Sequence, residues 1–238
     1  MRPRHSIWIG YDPREAGAYA VARETIQRNT LSQIPIRGVV LQDLKDKGLY
    51  YRPTSKQDGR LWDDISEAPM ATEFAISRFL VPHLAGDGWA LFVDADVMAR
   101  KNIDRIFSQA DPSKAVMVVK HNHQPHEGGL KMDGQAQLRY ARKNWSSVCL
   151  WNVDHPANKA LTIDMINSVP GRDLHAFNWL PDELIGALDP KWNFLVGESD
   201  PSIDPAIVHF TSGIPTMVGY ENCAFATEWR DELKRWAS

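Results

Sequence analysis

The stretch Trp89-Ala90-Leu91-Phe92-Val93-Asp94-Ala95-Asp96-Val97-Met98 decides the fold, and it follows a turn signal, Gly86-Asp87-Gly88. Residues 90–93 are a short apolar run rich in strand formers. They read as a fully buried strand, although periodicity alone leaves a buried helix segment open. In an extended chain, residues two apart point to the same side. Asp94 and Asp96 then stand together at the carboxyl end of a core strand, where open α/β sheets bind ligands. Two close carboxylates repel, and one pKa rises unless a positive group lies between them. A divalent cation with bound phosphates resolves that repulsion. The pair also suits a turn or a helix N-cap, so its meaning depends on the rest of the chain.

Working outward, the flanking segments alternate between strand and helix patterns. Residues 6–10 read as a first strand, and residues 14–28 as a helix with Ala18, Val21, Ala22 and Ile26 on one face. Residues 34–41 read as a second strand, which begins a βαβ unit. Residues 44–70 are polar and read as a long structureless connection of the lid or disordered kind. A helix is expected over 71–84, a short one from 103 to 107, and a strand over 115–119. The loop at 121–133 holds His121, His123 and His126 but no Cys partner, so it reads as substrate-facing rather than as a zinc site. A helix is expected over 135–143, a strand over 148–153, a helix over 158–167 stopped by Pro170-Gly171, and a short helix over 179–188. A final strand at 206–210 and an amphipathic helix at 227–236 complete the pattern.

The 238 residues are 43% hydrophobic and 24% charged with a net charge of −3, as expected of a soluble globular protein. No linker divides residues 1–238, so one domain is expected. That charge points to no nucleic-acid partner and no anionic membrane. The two cysteines, Cys149 and Cys223, make neither a disulfide framework nor a metal spacing, which fits a reducing, cytoplasmic setting. No signal peptide or transmembrane stretch is read. The nine tryptophans suit either a core or a sugar-stacking surface. Trp229, Leu233 and Trp236 alternate with basic residues, so the last helix suits either a membrane surface, as a peripheral contact, or its own domain. The second is preferred.

Six short motifs, in order, resemble the GT-A fold glycosyltransferases, most closely family eight, the retaining enzymes that use nucleotide sugars. The resemblance spans nearly the whole chain and implies one Rossmann-like domain with a mixed, mostly parallel sheet flanked by helices. Gly10-Tyr11-Asp12 with Tyr19 would hold the base and ribose. Arg78, in Ser77-Arg78-Phe79-Leu80, would contact the aspartates and the donor, as suits a fixed guanidinium fork. Asp94 and Asp96 would bind Mn²⁺ or Mg²⁺, with the Asp94-Ala95 stretch against the nucleotide. Ser147, in Trp145-Ser146-Ser147-Val148, stands where the family often has Gly and would line the donor sugar. Asp182 or Glu183, in Leu180-Pro181-Asp182-Glu183, would face the reacting carbon or the acceptor. His209 would be the third metal ligand. Gly213 would touch the diphosphate, whereas Pro215 falls where the family has a clamping Lys.

These motifs imply metal-dependent transfer of a sugar, with retention, from a UDP-sugar to an acceptor hydroxyl, in a setting such as surface polysaccharide synthesis. Two other classes share some of the features. A sugar nucleotidyltransferase also uses a nucleotide, a metal and aspartates, but needs a Gly-rich basic loop that residues 10–14 do not form. A non-catalytic nucleotide-sugar or glycan-binding module would explain the absent clamp Lys.

Overall fold

The structure is a computed structural model and describes residues 4–121, 142 and 144–237. Its centre is a six-stranded sheet. From one edge to the other the strands are Ile185–Ala187, Val116–Val118, Val148–Asn152, Trp89–Val93, His5–Gly10 and Ile36–Val39. Val148–Asn152 alone runs opposite to the others. The result is a mixed α/β fold with a largely parallel sheet flanked by helices. Trp89–Val93 is buried along its whole length, because both faces of the sheet are covered. Trp8, Phe92 and Cys149 pack on one face with Phe79, Trp151 and Phe177. Ile7, Ile9, Leu91, Val93 and Leu150 pack on the other with Trp192.

Two smaller sheets complete the architecture. Val97–Ala99 continues from the Asp94-Ala95-Asp96 turn and pairs antiparallel with Ile207–His209, placing His209 opposite Val97. Phe194–Leu195 adds to the same sheet. The third sheet is an antiparallel meander, Thr54–Gln57, Arg60–Asp63 and Ala68–Pro69.

That meander replaces the structureless connection expected over 44–70. Its hairpin turns on Asp58-Gly59, both at positive φ (50° and 77°), the geometry of a two-residue Asp-Gly loop. The second strand is shorter than expected, and Leu41 instead opens the helix Leu41–Asp46. The helix expected over 71–84 is broken into Phe74–Ser77, Arg78–Leu80 and Val81–Ala85. Pro82 has no N–H to donate back to Arg78, so a continuous helix is unavailable there. The 158–167 segment divides into Pro156–Ala160 and Ile163–Ser168, the second capped by Thr162, whose Oγ1 accepts from the Met165 amide at 3.0 Å. Gly171 opens a further helix, Gly171–His175, rather than stopping one. The expected helix over 179–188 is a single turn, Asp182–Leu184, followed by the edge strand. Pairing of Ile185–Ala187 with Val116–Val118 outweighs helix propensity there.

The last helix, Ala226–Ala237, buries Trp229 completely beside Ala18 and Val21 of the helix Ala16–Arg28. Packing on its own domain is therefore the observed arrangement. Of the nine tryptophans, Trp8, Trp89, Trp151, Trp192 and Trp229 are core residues. No helix among the described residues is long and apolar enough to cross a membrane. His123 and His126, and most of the helix expected over 135–143, lie outside the described residues.

Candidate metal and nucleotide site

Asp94 and Asp96 lie just past the carboxyl end of Trp89–Val93, in a turn rather than in extended chain. The Asp94 amide donates to the Ser147 carbonyl at 3.0 Å, and the Phe210 amide donates to the Asp96 carbonyl at 2.9 Å. These two bonds fasten the turn to Ser147 on one side and to His209-Phe210 on the other. One ligand atom from each of Asp94, Asp96 and His209 lies within 4.8 Å of the others. Asp94 Oδ1 and Asp96 Oδ1 are both buried, and their close polar neighbours are groups of the same cluster, Arg78 Nη1 for the first and His209 Nε2 for the second. Buried carboxylate oxygens converging with an imidazole nitrogen are a donor set suited to Mn²⁺ or Mg²⁺.

The surroundings hold this set in place. Asn193 donates through Nδ2 to Ser147 Oγ (2.9 Å) and to the Asn144 carbonyl (3.2 Å). Its Oδ1 therefore faces His209 Nδ1 at 2.9 Å as an acceptor. That bond puts a proton on Nδ1 and turns Nε2 toward Asp96 Oδ1, 3.2 Å away. Arg78 Nη1 donates to the Ser146 carbonyl at 3.0 Å and stands 2.7 Å from Asp94 Oδ1. The guanidinium also lies over the rings of Phe74 and Phe92.

Charges in the cluster are strongly coupled. Burial raises the Asp94 pKa to about 6 against the pull of Arg78, with repulsion from Asp96 adding to the rise. Burial acts in the same sense on Asp96, but the adjacent His209 outweighs it and holds the carboxyl below its usual range. Burial opposes the charged form of His209, yet Asp96 and Asp94 together raise its pKa.

The cluster forms part of the lining of a cavity of about 560 Å³. Arg78 shares that lining, as do Thr211, which follows His209-Phe210, and Glu15 and His175, two residues that no sequence motif singled out. Glu15 immediately precedes the helix Ala16–Arg28. Burial, then Asp96, Asp12 and Asp94, raise its pKa to about 7. Met70 and Ala71, just past the meander, and Gly171 and Arg172 from the helix after Pro170 form further walls.

The other sequence-predicted residues fall in different places. Asp12 is fully buried: Oδ2 accepts from Arg14 Nη2 at 2.6 Å and from the Glu73 amide at 3.0 Å, and Oδ1 from the Arg14 amide at 2.9 Å. Tyr11 and Tyr19 meet edge to face, 5.0 Å apart. A Cβ on Gly10 would lie 2.4 Å from the Phe74 ring, so this glycine lets that ring close over the strand end. Ala95 is core, and Ser147 is buried with its hydroxyl donating to the Asn144 carbonyl at 2.7 Å. Gly213 lines a separate cavity with Phe210, Tyr220 and Cys223. Asp182 and Glu183 precede the amino end of the edge strand and do not line the 560 Å³ cavity. Asp182 is exposed and pairs with Arg142.

Three solved structures that share this fold are glycosyltransferases. WbbM, a bifunctional glycosyltransferase, aligns over 98% of this chain with a TM-score of 0.61 and 12% identity, and the chain spans 50% of its length. The galactosyltransferase LgtC, solved in complex with donor and acceptor sugar analogs, aligns over 98% of this chain and 96% of its own, with a TM-score of 0.59 and 13% identity. GlyE of Streptococcus pneumoniae TIGR4 aligns over 98% of this chain and 62% of its own, with a TM-score of 0.61 and 13% identity. No protein-family model matches the chain. In sequence, Protein CDI of Arabidopsis thaliana is 39% identical over 236 residues, which cover 97% of this chain and 86% of that protein. An identity of that size over almost the whole chain shows kinship as well as fold: the chain belongs to the family of Protein CDI.

Proposed function

We propose that the chain is a metal-dependent glycosyltransferase that moves a sugar from a nucleotide-sugar donor, UDP-linked, to an acceptor hydroxyl. The observation that carries this reading is the convergence of Asp94, Asp96 and His209, one ligand atom of each within 4.8 Å of the others, in a cavity at the carboxyl end of the central strand. Asp94, Asp96 and His209 would hold Mn²⁺ or Mg²⁺. When bound, the cation supplies Lewis-acid stabilisation of the charge building on the departing diphosphate.

The chain's own groups do the rest. Asn193 fixes the tautomer of His209 and so aims its Nε2 lone pair. Arg78 brings a permanent positive charge beside Asp94, where the diphosphate would lie. Pro215 stands where the resembled family has a clamping Lys, so Arg78 carries more of that task here. Asp182 and Glu183 are not among the described residues that line the cavity, and in this reading the role facing the transferred sugar is assigned to cavity-lining groups. Retention of anomeric configuration rests on the resemblance to family eight. The two cysteines, both free, suit a reducing compartment such as the cytoplasm.

Release of UDP from a panel of UDP-sugars, measured with Mn²⁺ present, tests the reading. The wild type turns over one donor, and Asp94→Ala and Asp96→Ala each abolish that turnover. Full activity in either variant contradicts the metal assignment. Binding of UDP without turnover across the panel favours the non-catalytic module, the class to which the absent Lys points.

A further inference from the structure

The cavity holds a polar group that the metal set leaves unused. His175 is the last residue of the helix Gly171–His175, lines the cavity, and meets Phe79 edge to face at 5.2 Å. Its Nδ1 lies 2.7 Å from Ser146 Oγ. The Ser146 carbonyl in turn accepts from Arg78 Nη1 at 3.0 Å, and the same nitrogen stands 2.7 Å from Asp94 Oδ1. The imidazole is thus one residue removed from the guanidinium that flanks a candidate metal ligand. Burial, then the charge of Arg78, hold its pKa down to about 3. The ring is therefore neutral at physiological pH. With Nδ1 occupied, Nε2 is the ring nitrogen that makes no hydrogen bond among the described residues.

We propose that His175 Nε2 hydrogen-bonds a hydroxyl of the sugar carried by the metal-held nucleotide, and so helps select that sugar. The proposal rests on the glycosyltransferase reading above. Its ligand chemistry follows from the ring. If Ser146 donates to Nδ1, then Nε2 carries the proton and donates into the cavity. If Nδ1 donates to Ser146, then Nε2 accepts. A sugar hydroxyl answers both tautomers. A phosphate oxygen answers only the first, gains no charge attraction from a neutral ring, and is better served by Arg78. The sugar in question is the donor's, because His175 shares its wall with Arg78 and Asp94, beside the place of the diphosphate. Ser146 is a positioning residue here: it acts by fixing the ring.

Calorimetric titration in Mn²⁺ separates this role from a structural one. Wild type, His175→Ala and His175→Gln are each titrated with UDP and with UDP-glucose, UDP-galactose, UDP-xylose and UDP-N-acetylglucosamine. UDP has no sugar for Nε2 to meet, and its affinity should stay within about twofold in all three proteins. For the UDP-sugar that the wild type binds most tightly, His175→Ala should lose about five- to tenfold, the worth of one neutral hydrogen bond. His175→Gln presents both a donor and an acceptor and should recover most of that loss. If His175→Ala weakens UDP and UDP-sugar in equal proportion, the ring is only a wall and the proposal fails. Unchanged affinity for every ligand also overturns it. A wild type that binds no nucleotide at all overturns the glycosyltransferase reading itself, a result distinct from both.

Discussion

Asn193 illustrates how much of the site is decided by a single side chain. Both its amide hydrogens are taken, by Ser147 and by the Asn144 carbonyl, so its oxygen faces His209. The imidazole is then presented with Nε2 toward Asp96, and loss of the Nε2 proton frees a lone pair there. Protons and cation compete for that lone pair and for Asp94, whose pKa sits near 6. Metal affinity should therefore rise with pH: Mn²⁺ should bind about tenfold or more tightly at pH 8 than at pH 6, with proton release on binding. Equal affinity at the two pH values, measured by titration, would count against the ligand set. Glu15 makes a second prediction. Its folded pKa of about 7 lies above the ordinary value of 4.5. A raised acid contributes stability that is full below the unfolded pKa and lost as pH rises through the folded one. In chelator-treated protein, Glu15→Gln should match the wild type near pH 5. By pH 8 it should be more stable by on the order of 1 kcal/mol, after allowance for solvent screening. Urea midpoints across that range decide the matter, and a variant that loses ground as pH rises has the sign wrong. Neither Glu15 nor His175 was legible in the sequence, because the cavity forms between elements distant in the chain.

At the scale of elements, the antiparallel register of Val97–Ala99 with Ile207–His209 carries the late histidine to the early aspartates. The paired carboxylates were legible as a strand-end feature, but the turn that aims them was not. It depends on bonds to Ser147 and Phe210, and so on strands not yet in place when a short window is read. The meander was hidden for another reason. Its strands are short and polar, and periodicity is weak in them, whereas Asp58-Gly59 was a turn signal available in the sequence. The meander is fastened by Arg52. Nε and Nη2 each bond Asp63 at 2.6 Å, and Nη1 bonds the Ile166 and Val169 carbonyls. Arg52→Ala leaves Asp63 buried without its cation and should cost about 3–5 kcal/mol, read from the denaturant midpoint. A loss below 1 kcal/mol would mean that the meander is held by other contacts. Gly10→Ala forces a Cβ into the Phe74 ring and should cost about 1–3 kcal/mol, with weaker nucleotide binding because the strand end moves.

Across the whole molecule, the six-stranded sheet and the small sheet that continues from its central strand bring residues from three distant parts of the chain to a common rim. Glu15 follows the first strand, Asp94 and Asp96 follow the central one, and His209 ends a strand near the carboxyl terminus. The fold class was legible because the buried strand and its neighbours alternate with helices in the order of a GT-A domain. Structures at 12–14% identity share this architecture although most side chains differ. Exact boundaries were less legible, since edge pairing and proline placement override local propensity at Ile185–Ala187 and at Pro82. The proposed function depends on one cation held between Asp94, Asp96 and His209. Electron paramagnetic resonance of Mn²⁺ titrated with protein at pH 8 reads that binding directly, because free aqueous Mn²⁺ loses its signal when held. One equivalent of wild-type protein should remove the free signal of one equivalent of Mn²⁺, and Asp96→Ala and His209→Ala should each restore it. A free signal that the wild type leaves unchanged, or that both variants remove as fully as the wild type, contradicts the account.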